Sequence, residues 1–197
     1  MTFQLVCIEP KELTQYKADM QEAFQKGFED AFGKTDAVIL PEKDIDQSLN
    51  AEGSAVYKAV VDGEMVGGAV VIINESTQHN HLDLLFVKNG VQSNGIGKKI
   101  WFELERIYPN TKVWETCTPY FDKRNIHFYV NVCVFILQNF LMKNILCRIH
   151  RTILSVMAMR ECLRLRSKCV YEIPVWRIEK IGSCSKGGLQ WGFGFLC

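Results

Sequence analysis

A chain of 197 residues and 22.6 kDa, 48% apolar and 23% charged, is long enough for one ordinary domain and too apolar to be disordered or fibrous. Its net charge of +1 gives no bulk electrostatic reason for a nucleic-acid or membrane-surface partner. The charge is unevenly spread, however: residues 1–132 hold 19 acids and 13 bases, whereas residues 133–197 hold 3 acids and 10 bases.

Six of the eight cysteines also fall after residue 132 and none sits in a CxxC pair. The apolar run Phe3–Ile8 is too short for a secretory signal, so free thiols and a cytoplasmic protein are expected. The longest uncharged, mostly apolar stretch, Val130–Met142, has 13 residues. A spanning helix needs ~20, so no transmembrane segment is expected.

In chain order, Phe3–Ile8 predicts a first strand. Leu13, Tyr16, Met20, Ala23, Phe24, Phe28 and Phe32 recur at three- and four-residue spacing, an apolar stripe on a helix expected to break near Gly27 or Gly33. Pro41 and Glu42–Asn50 predict a second helix. Ser54–Val61 and Val66–Asn74 flank Asp62-Gly63, a strong hairpin signal, and His81–Val87 follows as another strand. Lys98–Tyr108 carries Ile100, Trp101, Leu104 and Ile107 on one face of a helix ended by Pro109. Lys112–Thr116 predicts a short strand and Phe121–Asn131 a helix. The order implies a mixed α/β domain.

Between the strand ending at Val87 and the helix near Lys98 lies Gln92-Ser93-Asn94-Gly95-Ile96-Gly97. A strand feeding such a loop into a helix start leaves backbone N–H groups unpaired at the positive end of the helix dipole, which suits an anion. Gly95 and Gly97 would let a phosphate approach the backbone, and Lys98 and Lys99 add positive charge. The GxxxxGK[ST] pattern is absent, which argues against a P-loop enzyme. Ile100 stands where a dinucleotide fold wants a third glycine.

Leu85-Phe86-Val87, the Gln92–Gly97 loop five residues past the valine, the following helix, the strand at Val113–Thr116 and Phe128-Tyr129 together resemble the GNAT superfamily of acetyl-CoA-dependent N-acetyltransferases over roughly residues 3–133. The resemblance implies an α+β fold with a mixed, mostly antiparallel central sheet flanked by helices. It also implies acetyl-CoA as cosubstrate and no metal. Gln92, Ser93, Asn94, Gly95, Ile96, Gly97 and Lys98 would hold the pyrophosphate, while the backbone of Leu85, Phe86 and Val87 would pair with the pantetheine and polarise the acetyl carbonyl. Tyr129 matches the tyrosine that in many members protonates the departing thiolate. Asp122 and Asn125 depart from the family's usual Asn and Ala in that helix.

Direct attack needs a neutral amine and hence a proton acceptor. Glu115 is the expected residue, with Asp83 as the other candidate. His79 and His81 share a strand face, but with no third ligand in view they predict a polar strand entrance rather than a metal site.

The family follows its tyrosine helix with a turn glycine and a last β-hairpin. Here Val134 holds the glycine place and no hairpin signal follows, so the final hairpin is expected to be missing or replaced. Residues 1–133 are thus expected to form the acetyltransferase-like domain, and 134–197 a basic, cysteine-rich tail. The tail resembles text from another reading frame beginning after about Cys133. Moved one base upstream, Met142-Lys143 must encode glutamate and Met157-Ala158 glycine, and the recoverable text looks like a polar loop and strand. Such a tail is expected to pack loosely, to expose Phe135, Ile136, Leu137, Phe140 and Leu141, and to leave the strand at Val113–Thr116 as an open edge. An amine acceptor, small molecule or protein, is the expected partner. Neither nucleic acid nor membrane is expected, and a homodimer is left open. The competing readings are a CoA-binding but catalytically impaired protein and an interaction module acting through the basic tail.

Overall fold

The computed structural model describes residues 2–91, 95–119, 122–141 and 175–181. Strands β1 (Phe3–Cys7), β2 (Ser54–Val61), β3 (Glu64–Ile72), β4 (His79–Val87), β5 (Val113–Pro119), β6 (Ile136–Leu141) and β7 (Val175–Ile181) form one sheet in the order β1-β2-β3-β4-β5-β7-β6. Every neighbouring pair is antiparallel except β4 and β5. Helices α1 (Leu13–Phe32), α2 (Glu42–Leu49), α3 (Ile96–Ile107) and α4 (Lys123–His127) flank the sheet. The expected mixed, mostly antiparallel architecture is present.

The hairpin forms where the Asp62-Gly63 pair predicts it. Asp62 and Gly63 both take positive φ, 49° and 92°, the backbone that a two-residue turn matching the strand twist demands. Strand β3 is buried over Val66–Val71, and its side chains serve two cores. Ala69 and Val71 pack in the cluster built on Ile100, Trp101 and Leu104 of α3, whereas Val70 between them packs with Tyr16 and Met20 of α1. The sheet is therefore covered by α3 on one face and by α1 on the other.

Helix α1 runs through Gly27 and ends at Gly33 (φ +87°), the second of the two expected breakers, whose amide donates to the Glu29 carbonyl at 2.8 Å. Phe28 is buried one residue past Gly27, so packing outweighs the ~1 kcal/mol helix cost of a single glycine. The helix expected over 121–131 is altered. Only Lys123–His127 is α-helical, capped by the Asp122 carboxylate accepting from Asn125 N at 2.9 Å, and Phe128–Val132 widens into a π-turn.

The expectation of an open β5 edge is overturned. β7 pairs with β5 along its whole length, from Val113↔Ile181 to Pro119↔Val175, and β6 pairs outside β7. These two strands replace a tight hairpin, since residues 142–174 separate them. Ile178 is fully buried under α3 and Phe135 is 2% exposed, contrary to the expected exposure of Phe135, while Ile136 is exposed as expected. The side chains of Leu137, Phe140 and Leu141 lie outside the described residues. Among the described residues no helix is long and apolar enough to cross a membrane.

Candidate active site

Strands β4 and β5 stay together for three pairs, His79↔Val113, Asn80↔Trp114 and His81↔Glu115, and then part. Two features open the gap. The β3–β4 register slips by one residue at Asp83, between Leu82 opposite Val71 and Leu84 opposite Val70; such a bulge bends a strand and raises its twist. Meanwhile β5 follows its other partner, β7. Thr116 Oγ1 occupies the first place beyond the fork, donating to the Leu82 carbonyl at 2.9 Å. Past that point, among the described residues, no strand pairs with β4 on this side. Leu85, Phe86 and Val87 therefore lie beyond the last β4–β5 pair, on a stretch of β4 whose strand pairing, among the described residues, is with β3 alone.

The glycine loop lies at the end of the same strand. Gln92, Ser93 and Asn94 lie outside the described residues. Gly95 stands at the N-cap of α3 in the left-handed region (φ +69°), and its carbonyl accepts from Lys99 N at 3.0 Å. Among the described residues, nothing lies within 4 Å of where its Cβ would be. Ile96 is buried and anchors the helix start in the core, and the first-turn amides of Ile96, Gly97 and Lys98 have no carbonyl one turn earlier within the helix. The Lys98 ammonium lies 5.5 Å over the Phe102 ring and that of Lys99 lies 5.9 Å over Phe3.

Gly97 is where the separate sequence signals meet. A Cβ there would stand 3.4 Å from the Phe128 ring and 3.8 Å from Val87 Cγ2, so strand end, glycine loop and π-turn converge on one residue. Tyr129 is 8% exposed, packed edge-on against Phe128 and Phe135 with centroids at 5.2 and 5.7 Å. Cys133, at the end of the same turn, is fully buried, and burial pushes its thiol up to about 12. It stays protonated at neutral pH and is no nucleophile for a covalent acyl intermediate.

Glu115 is not gathered with Tyr129. Its neighbour Trp114 packs in the α3 core alongside Tyr129, so strand alternation directs Glu115 to the opposite face of the sheet. There Glu115 Oε2 is 3.2 Å from His79 Nε2, and His81 Nε2 is 3.6 Å from Asp83 Oδ1. The Glu179 carboxylate joins His79 and Glu115, a neighbour that the sequence could not reveal because β7 pairs with β5 from far along the chain.

The sequence pattern of the Acetyltransferase (GNAT) family matches residues 17–133. Uncharacterized protein YrkN of Bacillus subtilis is 46% identical over 130 residues, covering 66% of this chain and 70% of that protein. Among solved structures, a ribosomal-protein alanine N-acetyltransferase from Escherichia coli superposes with a TM-score of 0.63 at 12% identity, covering 96% of this chain and 100% of that one. Spermidine N-acetyltransferase from Vibrio cholerae, solved with CoA and spermine, gives 0.61 at 9% identity, covering 91% and 95%. An N-acetyltransferase from Thermoplasma acidophilum, solved with coenzyme A, gives 0.60 at 12% identity, covering 92% and 99%. At those identities the structural likeness is one of fold. The family match, spanning the fork, the loop and the π-turn, decides the assignment: this chain belongs to the GNAT acetyltransferase family.

Proposed function

We propose that the protein transfers acetyl from acetyl-CoA to an amine by direct attack. The observation that carries this reading is the convergence at Gly97 of the forked strand, the helix start and the Phe128-Tyr129 turn. In it, Gln92, Ser93, Asn94, Gly95, Ile96, Gly97 and Lys98 hold the pyrophosphate through backbone amides and the helix dipole. The Leu85–Val87 backbone pairs with the pantetheine and donates to the carbonyl oxygen as negative charge develops there. The amine nitrogen forms a bond to the acetyl carbon, the carbon–sulfur bond breaks, and the thiolate takes the Tyr129 phenolic proton. Glu115 accepts the proton that the ammonium must lose before attack. The inert Cys133 thiol supports direct transfer over an acyl-enzyme route. The free thiols of Cys7, Cys117 and Cys133 fit a reducing compartment and support a cytoplasmic protein.

We further assign residues 1–133 to the acetyltransferase domain and 134–197 to a tail of separate origin. Two facts support this: the family match stops at residue 133, and the strained Val134 follows at once. Sequencing the coding DNA around codons 133–138 tests the change of frame. The same facts favour a second reading, a CoA-binding protein of impaired catalysis, because β6 and β7 come from outside the matched segment. Calorimetric CoA binding together with thiol release over a panel of amines decides between them. Binding with release supports the transferase, binding without release supports the impaired form, and no binding removes both.

A further inference from the structure

On the sheet face opposite α3, below the fork, three strands present ligating side chains to one point. His79 opens β4, Glu115 lies on β5, and Glu179 on β7 is the direct cross-strand partner of Glu115. His79 Nε2 lies 3.2 Å from Glu115 Oε2, and one ligand atom from each of the three residues lies within 4.8 Å of the others. Carboxylates set directly opposite on adjacent strands repel. Both are partly buried here, where water screens that repulsion less, so the arrangement favours a positive charge between them.

We propose that His79, Glu115 and Glu179 form a binding site for a divalent transition-metal cation of the zinc type. One imidazole nitrogen and two carboxylate oxygens, with water completing the shell, suit a borderline cation. Magnesium demands near-octahedral oxygen and gives up its waters reluctantly. Ligands about 2.1 Å from an ion in a tetrahedral shell stand ~3.4 Å apart, so ligand atoms up to 4.8 Å apart must close in by as much as about 1.4 Å. The His79 side chain, 40% exposed, is free to make that movement. The cation fastens β7, which lies beyond the family-matched segment, to β4 and β5 within it. Where Glu115 serves as proton acceptor, a coordinated carboxylate is a weaker base, so on that reading the loaded form transfers acetyl more slowly.

The full chain, stripped with EDTA and dialysed, is titrated with cobalt chloride and zinc chloride and followed by absorption, calorimetry and thermal unfolding. We expect one equivalent to bind, weak visible cobalt bands without the near-ultraviolet charge transfer that thiolate ligands give, and a raised unfolding midpoint that magnesium does not reproduce. His79→Gln and Glu179→Gln should each weaken binding at least about tenfold, the scale seen even for residues that only support a ligand. Glu179→Gln keeps the shape of the side chain, so the metal-free variant should give the parent's far-ultraviolet circular dichroism, which separates ligand loss from misfolding. No binding, thiolate-type bands, or unchanged affinity in either variant would overturn the site. Metal bound with turnover unaffected upholds the site and removes Glu115 from the proton-acceptor role.

Discussion

The Tyr129 carbonyl accepts a hydrogen bond from the Phe135 amide at 2.9 Å, and the turn it closes carries Val134 at φ +60°. This is the place the family gives to glycine. A β-branched residue in left-handed backbone costs roughly 1–2 kcal/mol, and Val134 recovers little of it by packing because it is 65% exposed. Val134→Gly should therefore stabilise the chain by about 1 kcal/mol, glycine's greater unfolded-state freedom offsetting part of the relief. Urea denaturation reads it directly, and a lower midpoint for the glycine variant would mean that the turn is not strained.

The two loop glycines should fail differently. Gly97→Ala brings a methyl into ordinary contact with Phe128, whereas Gly97→Val must displace that ring and with it the adjoining Tyr129. Gly95→Val meets no atom of the described residues but forces a branched side chain to φ +69°. CoA binding measured by calorimetry should survive Gly97→Ala and be lost in both valine variants. Full binding by the two valine variants would take the pyrophosphate away from this loop.

Tyr129→Phe keeps the ring packing against Phe128 and Phe135 and removes only the acidic proton. Turnover should fall about 100-fold, at the low end for general acid–base catalysis, while acetyl-CoA binding is retained. Unchanged turnover would make Tyr129 a core aromatic and nothing more.

The legibility of these parts follows from how local their causes are. The Asp62-Gly63 turn, the stripe of α1 and the start of α3 at Gly95 are each written in contiguous residues, and each forms. The slip at Asp83 leaves no mark in the sequence, because whether Leu82 or Leu84 faces α3 depends on β3 across the ladder. The pairing of β5 with β7 spans more than fifty residues of chain, and with it the meeting of Glu115 and Glu179 is hidden. A search for a third ligand near His79 and His81 in sequence looks in the wrong place for the same reason.

An ion pair outside the site offers a pH test. The Lys58 ammonium bonds both Glu12 oxygens, at 2.5 and 2.6 Å, and this hydrogen bond, with a second from the Glu9 backbone, holds the Glu12 carboxyl below its ordinary range. A depressed folded-state value contributes stability that is present above the ordinary carboxylate range and lost as pH falls through the lowered value. Glu12→Gln should thus lower the melting temperature at neutral pH, and the gap from the parent should shrink on acidification. A gap that does not depend on pH would mean the loss is one of packing.

Ile178 is the tail side chain whose removal tests how β7 docks on the domain. It is fully buried in the α3 core, while Lys180 nearby bonds Glu105 of α3 at 2.5 Å and lies 5.5 Å over the Trp101 ring. Ile178→Ala leaves a cavity between β7 and α3 and should cost about 2–5 kcal/mol. Ile181 on the same strand is 67% exposed, so Ile181→Ala should stay within about 0.5 kcal/mol. Chain truncated after Cys133 loses Phe135 and Ile178 together and bares the whole of β5, which should make it aggregate through that edge. Two alanine variants equal in urea midpoint to the parent, with a soluble truncated chain of unchanged melting temperature, would mean that β7 does not dock on β5 in solution.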